Sequence, residues 1–210
     1  MACLVTFLLF TGQMADLKYN STYNWFSSPD LISYLQYSNS NIFLISNVII
    51  GDAKTDDEKA EKVFFWVVRN FDYKSDKSVY GQIEYWATPI ESLKNMKGDC
   101  EDGATLIHSL LLHVGISPDR IRTYGGMIKN NKIINGKEIP NGLTGHSWTT
   151  YRRQSDNQWV ALDWCNENYH IPISDMKPIK NDSDYVREFM YFNLFEHNAT
   201  PITIKIIENI

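Results

Sequence analysis

The chain has 210 residues, 43% of them apolar and 13% aromatic, enough for a sizeable buried core in one domain with or without a short extension. Its formal net charge is −5, with no Lys/Arg block and no basic stripe, so nothing in it addresses nucleic acid. Three cysteines, Cys3, Cys100 and Cys165, are too few for a disulfide framework, and the five histidines lack the spacing of a structural zinc site.

Residues 1–15, "MACLVTFLLFTGQMA", hold an apolar run about half as long as the ~20 residues that cross a membrane. No basic residue precedes Lys18, so the positive start of a secretory signal is missing. We expect residues 1–20 to be an N-terminal extension, a buried strand or helix, with a cleaved signal as the alternative. The compartment stays open between cytoplasmic and exported forms, and no membrane span is expected. Residues 21–210 are expected to form a single domain.

"SSPDLISYLQY" opens with a Ser/Pro cap signal and reads as a helix. "SNIFLISNVIIG" reads as an apolar helix ending at Gly51, with a strand as the β-branched alternative. In "TDDEKAEKVFFWVVRNF", Thr55 and Glu58 make a capping-box pattern, and Asp56 and Asp57 lie where a helix dipole favours anions. Ala60, Phe64, Val67, Val68 and Phe71 then recur as a buried helical stripe. "GATLIHSLLLHVGI" repeats the pattern with Leu106, Leu110 and Val114, flanked by Ile107 and Leu111, and Gly115 reads as the stop.

The second half is strand-like. "DRIRTYGGMI", "GHSWTTYRR" and "QWVALDW" are short β-branched and aromatic runs, separated by "KNN", "NGKEIPNG" and "SDNQ" as turns. "TPITIKIIENI" reads as a last strand, and Tyr191, Phe192 and Phe195 as a packed aromatic cluster. Helices first and strands after them predict an α+β fold with an antiparallel sheet.

"GDCED" places Cys100 at the start of the buried helix but between acids that oppose a thiolate. The helix N-terminus works the other way, since its N–H groups and dipole favour the anion. The carboxylates can instead cap the helix, pair with cations or hold a metal ion. A nucleophilic thiol needs a base, and the base an orienting acceptor. His146, at the start of one predicted strand, and Asp163, at the end of the next, face each other in an antiparallel hairpin. The expected assembly is a Cys100–His146–Asp163 triad. Each has a plain alternative: a buried structural thiol, a loop histidine and a turn aspartate. His108 and His113 are expected to be packing or surface residues, Cys165 a buried thiol, and Trp148 a core or groove aromatic.

The run from "EYWATPIESLKNMKGDCEDG" to "GISPDRIRTY", extended by the helix before it and by "GHSW" and "LDW" after it, resembles the transglutaminase-like superfamily. Within it, Trp86, Pro89 and Glu91 followed by "GDCED" resemble the bacterial transglutaminase-like cysteine peptidases of the LapG type. The resemblance implies a papain-like core in which helices carry the nucleophile, Cys100, at a helix N-terminus packed on an antiparallel sheet. It implies His146 as base, Asp163 as third member, and acyl transfer on amide or peptide bonds of a peptide or protein substrate. Cysteine peptidase or amidohydrolase is the first expectation, protein-glutamine cross-linking the second, and a non-catalytic binding domain of the same fold the third. No cofactor is required by this reading; the resemblance allows calcium at Asp99 and Glu101. Trp86 is the candidate second oxyanion donor beside the Cys100 N–H. The oligomeric state is left open.

Overall fold

The computed structural model describes residues 34–134, 137–193 and 197–199. Helix α1 (Ser40–Ile50) starts where the Asn39 side chain accepts from the N–H groups of Asn41 and Ile42, and it stops at Gly51, whose φ is +53°. These caps select helix over strand for the isoleucine-rich run. Ile42, Ser46 and Ile50 lie on its buried face. Helix α2 (Asp56–Asn70) carries the capping box complete: Glu58 N–H donates to Thr55 Oγ1, and Glu58 Oε2 accepts from the Thr55 N–H. Its buried stripe is Ala60, Val63, Phe64 and Val67, while Val68 sits half-buried at the margin.

After α2, two-residue strand β1 (Asp72–Tyr73) pairs in parallel with β2 (Lys97–Gly98). Between them stand the single turn α3 (Asp76–Val79) and helix α4 (Pro89–Asn95). Pro89 at N1 and Glu91 at N3 start α4, and Glu91 Oε2 accepts from both the N–H and the hydroxyl of Thr88. β2 ends one residue before the N-cap of helix α5 (Cys100–His113), so the β1–β2 clamp fixes where that helix begins.

All fourteen residues of α5 are buried. Leu106, Ile107, Leu110 and Leu111 join Val63, Phe64 and Val67 of α2 and Ile42 of α1 in the main core. A helix buried on every side must pair its polar groups internally. Thr105 donates to the Glu101 carbonyl, Ser109 to the Leu35 carbonyl, and the His113 Nδ1–H to the Ser109 carbonyl. The helix ends at Val114, and Gly115 follows with φ +85°.

Under α5 lies an antiparallel sheet in the order β5-β4-β3-β6-β7: β3 (Ile121–Ile134), β4 (Lys137–Arg152), β5 (Trp159–Leu162), β6 (Tyr185–Phe192) and β7 (His197–Ala199). Tyr151, Val160 and Leu162 face the main core, whereas Tyr124, Trp148, Ala161 and Tyr169 form a second cluster. The α+β expectation holds.

Two local expectations change. The "KNN" and "NGKEIPNG" turns lie largely within strand, because β3 and β4 stay paired up to Ile134 and Lys137 with a register shift between Asn130 and Lys132. Long-range pairing outweighs turn-like composition there, and the irregularity absorbs the misfit. The run around Tyr191 and Phe192 is strand β6, with Phe192 buried and Tyr191 half-buried; Phe195 lies outside the described residues. His108 and His113 are both buried, as packing residues of α5. The start of "SSPDLISYLQY" and "TPITIKIIENI" also lie outside the described residues. Among the described residues no helix is long and apolar enough to cross a membrane.

Candidate active site

Cys100 is the first residue of α5, wholly buried, with Asp99 in the N-cap position. Asp99 makes no side-chain cap bond, so its carboxylate is turned to another use. One acid does face the sulfur: Cys100 Sγ donates to Glu101 Oε2 at 3.1 Å.

His146 lies within β4 rather than at its start, because the strand begins earlier than the sequence indicates. Thr149 pairs with Leu162 across β4 and β5, which sets Asp163, one residue beyond β5, diagonally beside His146. His146 Nε2 lies 2.8 Å from Asp163 Oδ2, and both side chains are buried. An ionised carboxylate only accepts, so the ring carries its proton on Nε2. Tyr185 also donates to Asp163 Oδ2, at 3.0 Å, and the Cys165 N–H donates to Oδ1 at 3.2 Å.

The loop carrying Asp163 is tied to the helix tip. Trp164 Nε1 donates to the Cys100 carbonyl at 3.2 Å, and its indole packs against Gly103 in the first turn of α5. Gly103 makes this approach feasible, since a Cβ there would come within 2.2 Å of Trp164 Nε1. Gly98 plays the matching part on the other flank: its Cβ would stand 2.2 Å from Asp102 Oδ2. The glycines bracketing "DCED" thus admit an indole on one side and a carboxylate on the other.

Around the helix start the fold gathers more acids than sequence reasoning found. Asp76, Glu84 and Glu101 bring carboxylate oxygens within 4.8 Å of one another, as do Asp76, Asp99 and Asp102. Asp99, Cys100 and Glu101 make a third such group. Asp76, Asp99, Glu101 and Asp102 are all buried. Burial, then the charge of Asp99, pushes the Glu101 carboxyl well up, and the same causes lift Asp102 to about 8. Asp102 Oδ1 accepts from the Ala87 N–H, but Asp102 Oδ2 and Glu101 Oε1 are buried without a hydrogen bond. Hard oxygen donors converging in this way fit a divalent cation such as calcium. Asp76 and Glu84 carry no sequence signal; the β1–β2 clamp delivers them.

Trp86 is half-buried, and its indole N–H donates to Glu84 Oε1 at 3.1 Å, which directs it to the acidic cluster. Cys165 is half-buried, and its backbone rather than its sulfur serves Asp163. Trp148 is wholly buried and packs beside the His146 ring, with centroids 6.1 Å apart.

The sequence profile of the transglutaminase-like superfamily matches residues 45–164, which span α2, the Cys100 helix, His146 and Asp163. The chain belongs to the transglutaminase-like superfamily. No curated protein matches it in sequence. Among solved structures its fold is similar to that of LapG from Legionella pneumophila. The calcium-bound form superposes with a TM-score of 0.53 at 20% identity, over 82% of this chain and 87% of that one. The EGTA-treated form gives 0.52 at the same identity, over 82% and 85%. The α+β, transglutaminase-like architecture is therefore common to this superfamily member and to LapG.

Proposed function

We propose that this superfamily member is a thiol-dependent acyltransferase acting on amide or peptide bonds, as a cysteine peptidase or amidohydrolase. The observation that carries the reading is the buried His146–Asp163 pair, whose loop is bonded through Trp164 to the backbone of Cys100 at a helix start. With Nε2 committed to Asp163, Nδ1 of His146 takes the proton from Cys100. The thiolate attacks the carbonyl carbon, and the Cys100 N–H at the helix start receives the developing oxyanion. His146 returns the proton to the leaving amine, and a thioester remains. Water, deprotonated by His146, hydrolyses it to an acid and restores the thiol; an amine in place of water gives a cross-link.

Asp76, Glu84, Asp99, Glu101 and Asp102 would hold a calcium ion in this reading. Bound there, it cancels negative charge beside the sulfur. This supplies a use for the acids of "GDCED" that helix capping does not.

The test is iodoacetamide labelling with the modified cysteine mapped by mass spectrometry, in calcium and in EGTA. We expect selective modification of Cys100 over Cys165, and its loss in His146→Ala. Equal labelling of both thiols, unchanged in His146→Ala, refutes catalysis and leaves a binding domain of the same fold. Unlabelled enzyme then distinguishes hydrolysis from cross-linking by release of an acid or incorporation of an amine, with the alkylated protein as the inactive control.

A further inference from the structure

Asp163 is wholly buried, and three donors meet its two oxygens. His146 Nε2 at 2.8 Å and the Tyr185 hydroxyl at 3.0 Å share Oδ2, and the Cys165 N–H at 3.2 Å takes Oδ1. The histidine comes with β4 and the N–H with the loop that follows β5. Tyr185 does not. It is the first residue of β6, separated from β4 by β3, and it follows Asp163 by 22 residues.

On the face of β3 that joins the second cluster, Tyr124 and Ile128 flank Gly126. Gly126 is the register partner of His146 and contributes no side chain there. The Tyr185 ring packs against Trp148, with centroids 4.8 Å apart, and edge-on to Tyr169 at 5.5 Å.

We propose that Tyr185 is a positioning residue of the Cys100–His146–Asp163 site, its hydroxyl fixing the Asp163 carboxylate so that Oδ2 faces His146 Nε2. The proposal rests on the acyl-transfer reading above. The terminal torsion of an aspartate is broad and roughly two-fold, so one donor does not fix its carboxylate. Donors on both oxygens, from a backbone N–H and a strand-borne phenol, leave a single orientation. A buried carboxylate also needs its lone pairs satisfied, and a phenol is a strong partner for it. Burial, and then the charge of Asp163, hold the Tyr185 hydroxyl well above its ordinary pKa, so it stays a donor. Tyr169, its neighbour, serves another acid: it donates to Asp182.

Tyr185→Phe removes the hydroxyl and keeps the ring. Two quantities decide the matter: the iodoacetamide rate of Cys100, and the downfield imidazole N–H resonance of His146 in the NMR spectrum. We expect Tyr185→Phe to lower the rate about tenfold, the scale of a lost hydrogen bond to a charged group. The resonance should shift or broaden, while Tyr151→Phe, whose hydroxyl serves Asp57 instead, matches wild type in both. A wild-type rate and an unmoved resonance in a folded Tyr185→Phe overturn the proposal. If wild-type labelling is itself independent of His146, the acyl-transfer reading fails instead, and the resonance alone decides whether Tyr185 orients Asp163. Should Tyr185→Phe fail to fold, 3-fluorotyrosine in place of Tyr185 keeps the packing and strengthens the donor; an unmoved resonance then overturns the proposal.

Discussion

His108 lies two turns down α5 from Cys100, fully buried and stacked on Phe192 with ring centroids 5.7 Å apart. Its Nδ1 meets Thr123 Oγ1 at 2.9 Å, Thr123 Oγ1 meets Thr149 Oγ1 at 2.9 Å, and Thr149 donates to the Ala104 carbonyl at 2.7 Å. Each hydroxyl has one proton, so the chain has one direction. Thr149 gives to Ala104, Thr123 to Thr149 and His108 Nδ1–H to Thr123. Nε2 is buried without a hydrogen bond, which disfavours a second proton, and burial drives the ring's pKa from 6.5 to about 3. In the unfolded chain His108 binds a proton below about 6.5. Stability is thus complete above that pH and falls as pH drops toward about 3, by up to ~1.4 kcal/mol per unit. His108→Gln should flatten that slope in urea melts taken between pH 7 and pH 4; an unchanged slope would show that the ring charges freely. The sequence shows an apolar helix with two histidines but not this partner chain, because Thr123 and Thr149 arrive from two later strands. As candidates, Cys100, His146 and Asp163 are legible for the opposite reason. Each sits in a local signature, a helix start, a strand and a strand end, that needs no distant partner to recognise. Tyr185, Asp76 and Glu84 have no such signature.

Helix α2 serves the sheet through its first turn. Asp57 Oδ1 accepts from the Tyr151 hydroxyl at 2.7 Å and the Gln154 N–H at 2.6 Å, and Oδ2 accepts from the Ser155 N–H at 3.0 Å. One carboxylate thus caps the β4–β5 turn and anchors a core tyrosine while complementing its own helix dipole. Asp57→Ala should cost about 2 kcal/mol, because it orphans several donors to a charged acceptor at once. Asp56→Ala, one position earlier and paired with Lys59 at 3.5 Å, should stay within ~0.5 kcal/mol. The comparison is read from denaturation midpoints at constant slope, and equal midpoints would remove Asp57 from this role. The capping box of α2 was readable because its partners are three residues apart. The reach of Asp57 to residues 151–155 was not. The hairpin departs in the reverse sense: "KEIPNG", residues 137–142, has turn composition, yet pairing across β3 and β4 makes it strand.

At the scale of the whole molecule, α5 is the hub. It touches α1, α2, α4 and both long strands, and the acids at its tip are held by segments on either side. Five carboxylates converging at this hub repel one another when charged, so a cation bound there stabilises the folded state by mass action. Calcium should therefore raise the melting temperature, and EGTA should lower that of protein prepared with calcium. Glu101→Gln should blunt the calcium response while Asp56→Ala leaves it intact. A melting curve indifferent to calcium in the wild type would remove the ion from the proposed function.

The buried position of α5 also bears on the order in which the protein comes into being. Synthesis delivers Cys100 and its helix first, and chains fold from the N-terminal side as they emerge. The strands under that helix begin only at Ile121, and Trp164 and Asp163 come at the far end of β5. Tyr185 is made later still. A nascent or truncated chain ending before residue 159 has a cysteine with neither the loop that binds its carbonyl nor the acid that orients His146. The proposed nucleophile therefore stays dormant through most of translation, and its reactivity is among the last properties the growing chain acquires.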